Sequence, residues 1–306
     1  MKNITKLGLT ALAGSLVASS AFAGAMSVSG SAKVTHASAD ETEVQGNSFS
    51  NSKGITFSGS GDLDNGWSVA TSYTMTNAAF STSQVTIDMG DSGTVGLYNG
   101  ASGAGLTKYY DVVPTAGEQV WDDSDTDDNG LANHDNKNMI GYNGTFGDMD
   151  VSLAYVNGGA SAAGGGASDS SWVVQYSGLM DGLTLGVGMG ENGATQDLQT
   201  MYAKYTAGSL TVGYQLSEVD NTGSTADEES SHLGASLAVN ENLSVSAGRF
   251  EVDMGAGKVD EESTGFSASY VVGSTTIGFV ANSTENVAGT SGSDDSYREI
   301  AVSFAF

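Results

Sequence analysis

Residues 183–190 read LTLGVGMG, and residues 210–217 read LTVGYQLS. In the first, Leu183, Leu185, Val187 and Met189 alternate with Thr184, Gly186, Gly188 and Gly190; in the second, Leu210, Val212, Tyr214 and Leu216 alternate with Thr211, Gly213, Gln215 and Ser217. A period of two sends successive side chains to opposite faces of a strand, so each segment has one apolar face and one face of small or polar residues. The pattern recurs at Val69, Tyr73 and Met75 and at Val151, Leu153 and Tyr155. A soluble β-sandwich needs large side chains on its inner face, and the second face here is Gly, Ser, Thr, Gln and Asp. A wet interior, with the apolar face turned to lipid, suits both faces.

The connections alternate too. One set is tight: Asp64-Asn65-Gly66, Asp91-Ser92-Gly93, Gly147-Asp148-Met149, Asp181-Gly182, Gly208-Ser209, Asn240-Glu241-Asn242 and Gly273-Ser274. Such residues supply the positive-φ positions of hairpins. Between them lie longer, mostly acidic connections at about 37–52, 77–82, 100–136, 157–170, 190–197, 218–230, 253–261 and 283–295. Seven turns and eight loops predict sixteen strands. Short turns at one end, long loops at the other and an even strand number are the signature of an antiparallel transmembrane β-barrel. The predicted fold is therefore all-β, with periplasmic turns and outer loops.

The first residues predict export. Lys2 and Lys6 form a basic start, Leu7 to Ala18 is an apolar stretch, and Ala21-Phe22-Ala23 is a cleavage site. The apolar run falls short of the ~20 residues a spanning helix needs, so 1–23 reads as a signal peptide and 24–306 as the barrel. The chain has 36 acidic against 10 basic residues, a net charge of −26, and no basic footprint for nucleic acid. Cysteine is absent, which excludes a disulfide scaffold. Glycine, at 43 residues, is about twice its ordinary ~7% share and lies inside strands as well as at turns. Glycine there marks a place where something passes close by.

Residues 299–306 read EIAVSFAF, ending on Phe306 with Phe304 two before it. This resembles the terminal sorting signal of outer-membrane barrels. With the alternation, the turn–loop asymmetry and the export signal, the chain resembles the general bacterial porins, in particular the acidic, glycine-rich alphaproteobacterial type. The resemblance implies an outer-membrane homotrimer delivered by the barrel-assembly machinery. Each subunit would hold a water-filled channel for small polar solutes and ions, with a third loop folded in to narrow it.

The loop at 100–136 is the longest and matches that constriction loop in position. It holds the only proline, Pro114, the aromatics Tyr109, Tyr110 and Trp121 as wall anchors, and the acids Asp111, Glu118, Asp122, Asp123, Asp125, Asp127 and Asp128. The competing reading is a solvated outer loop. Parity places Lys33 and Lys204 on the inner wall, since a lysine on the lipid face costs ~2–4 kcal/mol at mid-membrane. Arg249 has lipid-side parity but joins the pore-lining candidates if a bulge intervenes, which Phe250 and Val252 suggest. Arg298 belongs at the outer rim. The pore-lining set is thus Lys33, Lys204, Arg249, Glu118, Asp122 and Asp123, and the acid excess predicts weak cation selectivity.

Asp125, Asp127 and Asn129 occupy EF-hand ligand positions before Gly130, but Asn136 stands where the bidentate Glu belongs. That rules out an EF-hand and leaves calcium on an acidic loop as one reading, a merely acidic loop as the other. No cofactor is required. The three histidines, His36, His134 and His232, are far apart and map near loop ends, and no catalytic constellation stands out. A structural or adhesive exported β-protein without an open channel is the alternative function. Fixed-period repeats would favour it, and the sequence has none.

Overall fold

The alternating segments form strands, which in the computed structural model are β1 (Met26–Ala39), β2 (Phe49–Asp62), β3 (Ser68–Thr76), β4 (Ala79–Asp88), β5 (Thr94–Asn99), β6 (Met139–Phe146), β7 (Met149–Val156), β8 (Asp169–Tyr176), β9 (Leu183–Asn192), β10 (Gln196–Ala207), β11 (Leu210–Asn221), β12 (Glu228–Ala238), β13 (Leu243–Asp253), β14 (Glu261–Val272), β15 (Thr275–Glu285) and β16 (Asp295–Ala305). The described residues are 26–39, 48–122, 128–131, 138–158, 167–193, 195–223, 225–255 and 257–306. The predicted signal peptide, and Asp123, Asp125, Asp127 and His134, lie outside them.

All sixteen strands pair antiparallel with their neighbours, and β1 pairs with β16, so the sheet is a closed barrel. Closure gives every strand a hydrogen-bonded neighbour on both sides and leaves no edge strand, which is what a lipid environment demands of strands. Tyr73, Leu185, Val187, Val212, Tyr214, Phe266 and Tyr270 point outward, each 37–45% exposed despite being apolar. Among the described residues no helix is long and apolar enough to cross a membrane, so crossing falls to the strands.

Phe146 and Met149, Ala207 and Leu210, and Val272 and Thr275 are joined by two-residue turns that open on Gly147, Gly208 and Gly273, all with φ near +60°. Most of the expected long connections are shorter than read, two of them sharply so. The 77–82 segment shrinks to Asn77-Ala78, because β3 and β4 extend to meet there with a bulge at Thr74/Met75. The 190–197 segment is mostly strand, β9 ending at Asn192 and β10 starting at Gln196. In both, adjacent polar residues (Ser81 and Thr82; Glu191, Asn192, Gln196 and Asp197) sit on paired strands and mimic a loop.

Candidate pore constriction

Between β5 and β6 the chain turns inside the barrel. A single helical turn, Gly105–Lys108, sits against β7, β8 and β9. The small polar face of the wall supplies its hydrogen bonds. Ser152 Oγ accepts from the Gly105 N–H at 2.9 Å and Ser171 Oγ from the Leu106 N–H at 3.0 Å. Gln215 accepts from the Val112 N–H at 3.2 Å and donates to the Tyr109 carbonyl at 3.1 Å. Ser246 Oγ accepts from the Ala116 N–H at 2.9 Å, and Asn282 Nδ2 donates to the carbonyls of Gln119 and Asp122, each at 2.9 Å. A loop buried with its backbone unpaired would be costly; the serines, Gln215 and Asn282 remove that cost.

The wall glycines give the loop room. A Cβ on Gly213 would stand 2.5 Å from Pro114 Cδ, one on Gly234 2.6 Å from Val113 Cγ1, and one on Gly188 2.8 Å from Leu106 Cδ2. What passes close to the strand glycines is this loop. Further along, Trp121 packs on His232 and Phe250, ring centroids 4.3 and 4.5 Å away, in a buried cluster with Val120, Val252 and Met254. Tyr109 stacks on Tyr202 at 6.3 Å.

The charges sort by side. Lys33 Nζ lies 2.9 Å from Glu118 on the loop and 2.8 Å from Glu299 on β16. Lys204 shares the inward parity of the buried Thr200 and Tyr202 and lowers the neighbouring Asp111 carboxyl by its charge. Burial nonetheless pushes Asp111 from 3.8 up to about 6, with Asp122 adding to the rise and Gln119, the Val113 N–H and Lys204 opposing it. Asp122 is raised chiefly by burial, with the Gln119 N–H and Lys33 opposing. Burial lowers Lys108, against the pull of Asp150.

For Asp111 the raised value favours the neutral acid in the docked loop. Its contribution to docking is full below its ordinary 3.8 and is lost as pH rises through about 6. Lowering pH from 7 to 5 should therefore remove one negative charge beside the loop and reduce cation preference. Reversal potentials at pH 5, 6 and 7 check this: the step should be present in the wild type and absent from Asp111→Asn.

Arg249 corrects the sequence reading. It stands on the outer face, bidentate to Glu262 at 2.6 and 2.7 Å and 2.8 Å from Glu251. The β13 register is unbroken there, with Arg249 opposite Leu233 and Thr264, so no bulge turns it inward. Phe250 and Val252 are apolar because they face inward beneath Trp121, not because the lipid-facing phase resumes. Asn129 is buried and occupied within the loop: its Nδ2 donates to the Tyr110 carbonyl and its Oδ1 accepts from the Leu131 N–H. Among the described residues no three His, Asp or Glu side chains are placed to share a metal. His232 lies mid-strand in β12, not at a loop end, and His36 sits in β1 against Phe49. Asp122 lies at the loop–wall contact, and Phe304 and Phe306 face outward at the β1–β16 junction, where Gly30 and Phe306 exchange backbone hydrogen bonds of 2.6 and 3.0 Å. Sequence reasoning missed Lys108, Gln215, Asn282 and Asp150. For Asp150 the signal was there, since it shares parity with Ser152 and Ala154.

A sixteen-stranded closed barrel with a loop seated on its inner wall is one observation; the match of residues 8–306 to the family described as Gram-negative porin is the other. The chain belongs to that family. It is an outer-membrane channel protein for passive diffusion of solutes and ions. Among solved structures the porin is similar to an anion-selective porin from Comamonas acidovorans, at TM-score 0.69 and 15% identity over 92% of this chain and 100% of that one. Two engineered mutants of Rh. blastica porin match at TM-scores 0.66 and 0.65, both at 16% identity over 92% of this chain and 100% of theirs. These likenesses concern the fold. No relative is found among curated proteins.

Proposed function

We propose that this porin is weakly cation-selective, with its constriction between the 100–136 loop and the wall lysines Lys33 and Lys204. The observation that carries the reading is the loop's path inside the barrel, with Asp111, Glu118 and Asp122 brought beside those lysines. Lys33 is largely neutralised by two carboxylates, so the loop acids and the chain's overall charge of −26 set the sign of the vestibule. The preference is modest because Lys204 and Lys108 act against it.

The reading includes removal of 1–23 on export, recognition of Phe304 and Phe306 by the barrel-assembly machinery, and assembly as a homotrimer. The export pattern, the amphipathic last strand and the family support these in turn.

Reversal potentials across a KCl gradient test the selectivity. Cation preference should be clear at 0.1 M and shrink at 1 M, as the Debye length falls from ~10 to ~3 Å. Replacing Asp122, Asp123, Asp125 and Asp127 together with Asn should reduce it. An anion-favouring potential at low salt would give control of the pore to the lysines instead, and an unchanged potential in the variant would put those four acids outside the permeation path.

A further inference from the structure

On the turn-side flank of the loop's helical turn, the wall forms a recess of about 480 Å³. Its polar lining is Lys108, Asn143, Thr145, Asp150 and Asp91, and Tyr109 supplies an aromatic surface. The volume is in the ordinary range for a small-molecule site. Lys108 closes the helical turn, Asp150 is the second residue of β7, and Asp91 lies in the turn between β4 and β5. A solute that has passed the loop toward the turn end meets this recess next.

The two central charges are fixed, and neither cancels the other. Lys108 Nζ donates to Asn143 Oδ1 at 2.8 Å and stands 5.4 Å from the Tyr109 ring centroid. Asp150 accepts from Thr145 Oγ1 at 2.6 Å and from Gln175 Nε2 at 3.0 Å. Gln175 is itself held, its Oε1 accepting from the Tyr202 hydroxyl at 3.1 Å, and Tyr202 stacks on Tyr109. Among the described residues no ion pair joins Lys108 to Asp150. Neutral partners orient both groups, and Asp150 acts on Lys108 only at a distance, so neither is tied up in a contact ion pair. A lone anion in the recess would meet Asp150 and Asp91, and a lone cation would meet Lys108. A molecule carrying both charges satisfies all of them, with any apolar part against Tyr109.

We propose that this recess is a binding subsite for small zwitterions of the amino-acid class, the carboxylate on Lys108 and the ammonium toward Asp150 and Asp91. The proposal rests on the chain being an open channel and adds a transient stop on the way through it.

Single-channel current in 0.1 M KCl, where the Debye length is still ~10 Å, tests it with L-glutamine as probe. Its N-acetyl acid, its methyl ester and its N-acetyl amide serve as the anionic, cationic and neutral analogues. Glutamine should interrupt the current saturably, at a half-saturating concentration about tenfold below any analogue, the loss expected when a hydrogen bond to a charged group is removed. Lys108→Gln and Asp150→Asn, each checked as a folded barrel by heat-shifted gel mobility, should erase that difference. Equal response to the neutral analogue overturns the subsite even if neither variant folds, and so does an open channel that glutamine does not interrupt. A folded protein that inserts and never conducts would overturn the channel itself.

Discussion

Trp121→Ala should release the inner loop and raise single-channel conductance, while the barrel stays folded. Trp121 is the largest side chain by which the loop holds the wall, buried against His232 and Phe250. Truncating a buried Trp costs ~3–5 kcal/mol, and at 1.4 kcal/mol per factor of ten that shifts a local docking equilibrium by roughly a hundredfold or more. The strand pairing does not depend on this ring, so the loss falls on the loop. Planar-bilayer recordings should show larger and noisier unitary currents, and heat-shifted mobility should be kept. Trp121→Phe, retaining most of the packing, should stay near wild type. Unchanged conductance in Trp121→Ala would show that hydrogen bonds such as those from Asn282 and Ser246 hold the loop alone.

Gly213→Val should act in the opposite direction. The new side chain would overlap Pro114, whose Cδ already stands 2.5 Å from the site of a Cβ. The proline ring does not rotate away, and overpacking of this kind costs ~1–3 kcal/mol. The strand is fixed by pairing on both sides, so the loop yields, moving off the wall toward the lumen axis. Unitary conductance should fall, and exclusion of larger sugars in liposome swelling should sharpen. A rise instead would mean that the loop undocks rather than shifts. Trp121→Ala combined with Gly213→Val should resemble Trp121→Ala, because a released loop no longer presses on the wall.

Much of the barrel was legible because lipid imposes a local rule. Each strand alternates on its own, three two-residue turns announce themselves by Gly147, Gly208 and Gly273, and Phe306 marks the last strand. The glycine excess also carried information: it signalled close approach without saying by what. The partners were illegible because they are remote. Asn282 meets Gln119 across 163 residues and Gln215 meets Val112 across 103, and no window on the sequence spans that. Arg249 was misjudged for the same reason. Parity assumes a wet interior, but beneath the loop the interior is dry, so Phe250 and Val252 point inward and imitate a change of phase. Asn77 and Asp197 misled in the other direction, being polar residues at or beside paired strand ends that read as loop.

The Lys33 contact has a consequence for how the cylinder comes together. Lys33 belongs to the first strand and Glu299 to the last, and Glu118 reaches both through the lysine. The join between the ends of the sheet is therefore clasped from within by the tip of a segment more than eighty residues from either Lys33 or Glu299. Until β1 meets β16 the clasp has only half its socket. The anchors on β7 to β15, such as Ser152, Gln215, Ser246 and Asn282, do not depend on that seam. The Glu118 contact with both ends of the sheet is thus completed only when the seam has shut.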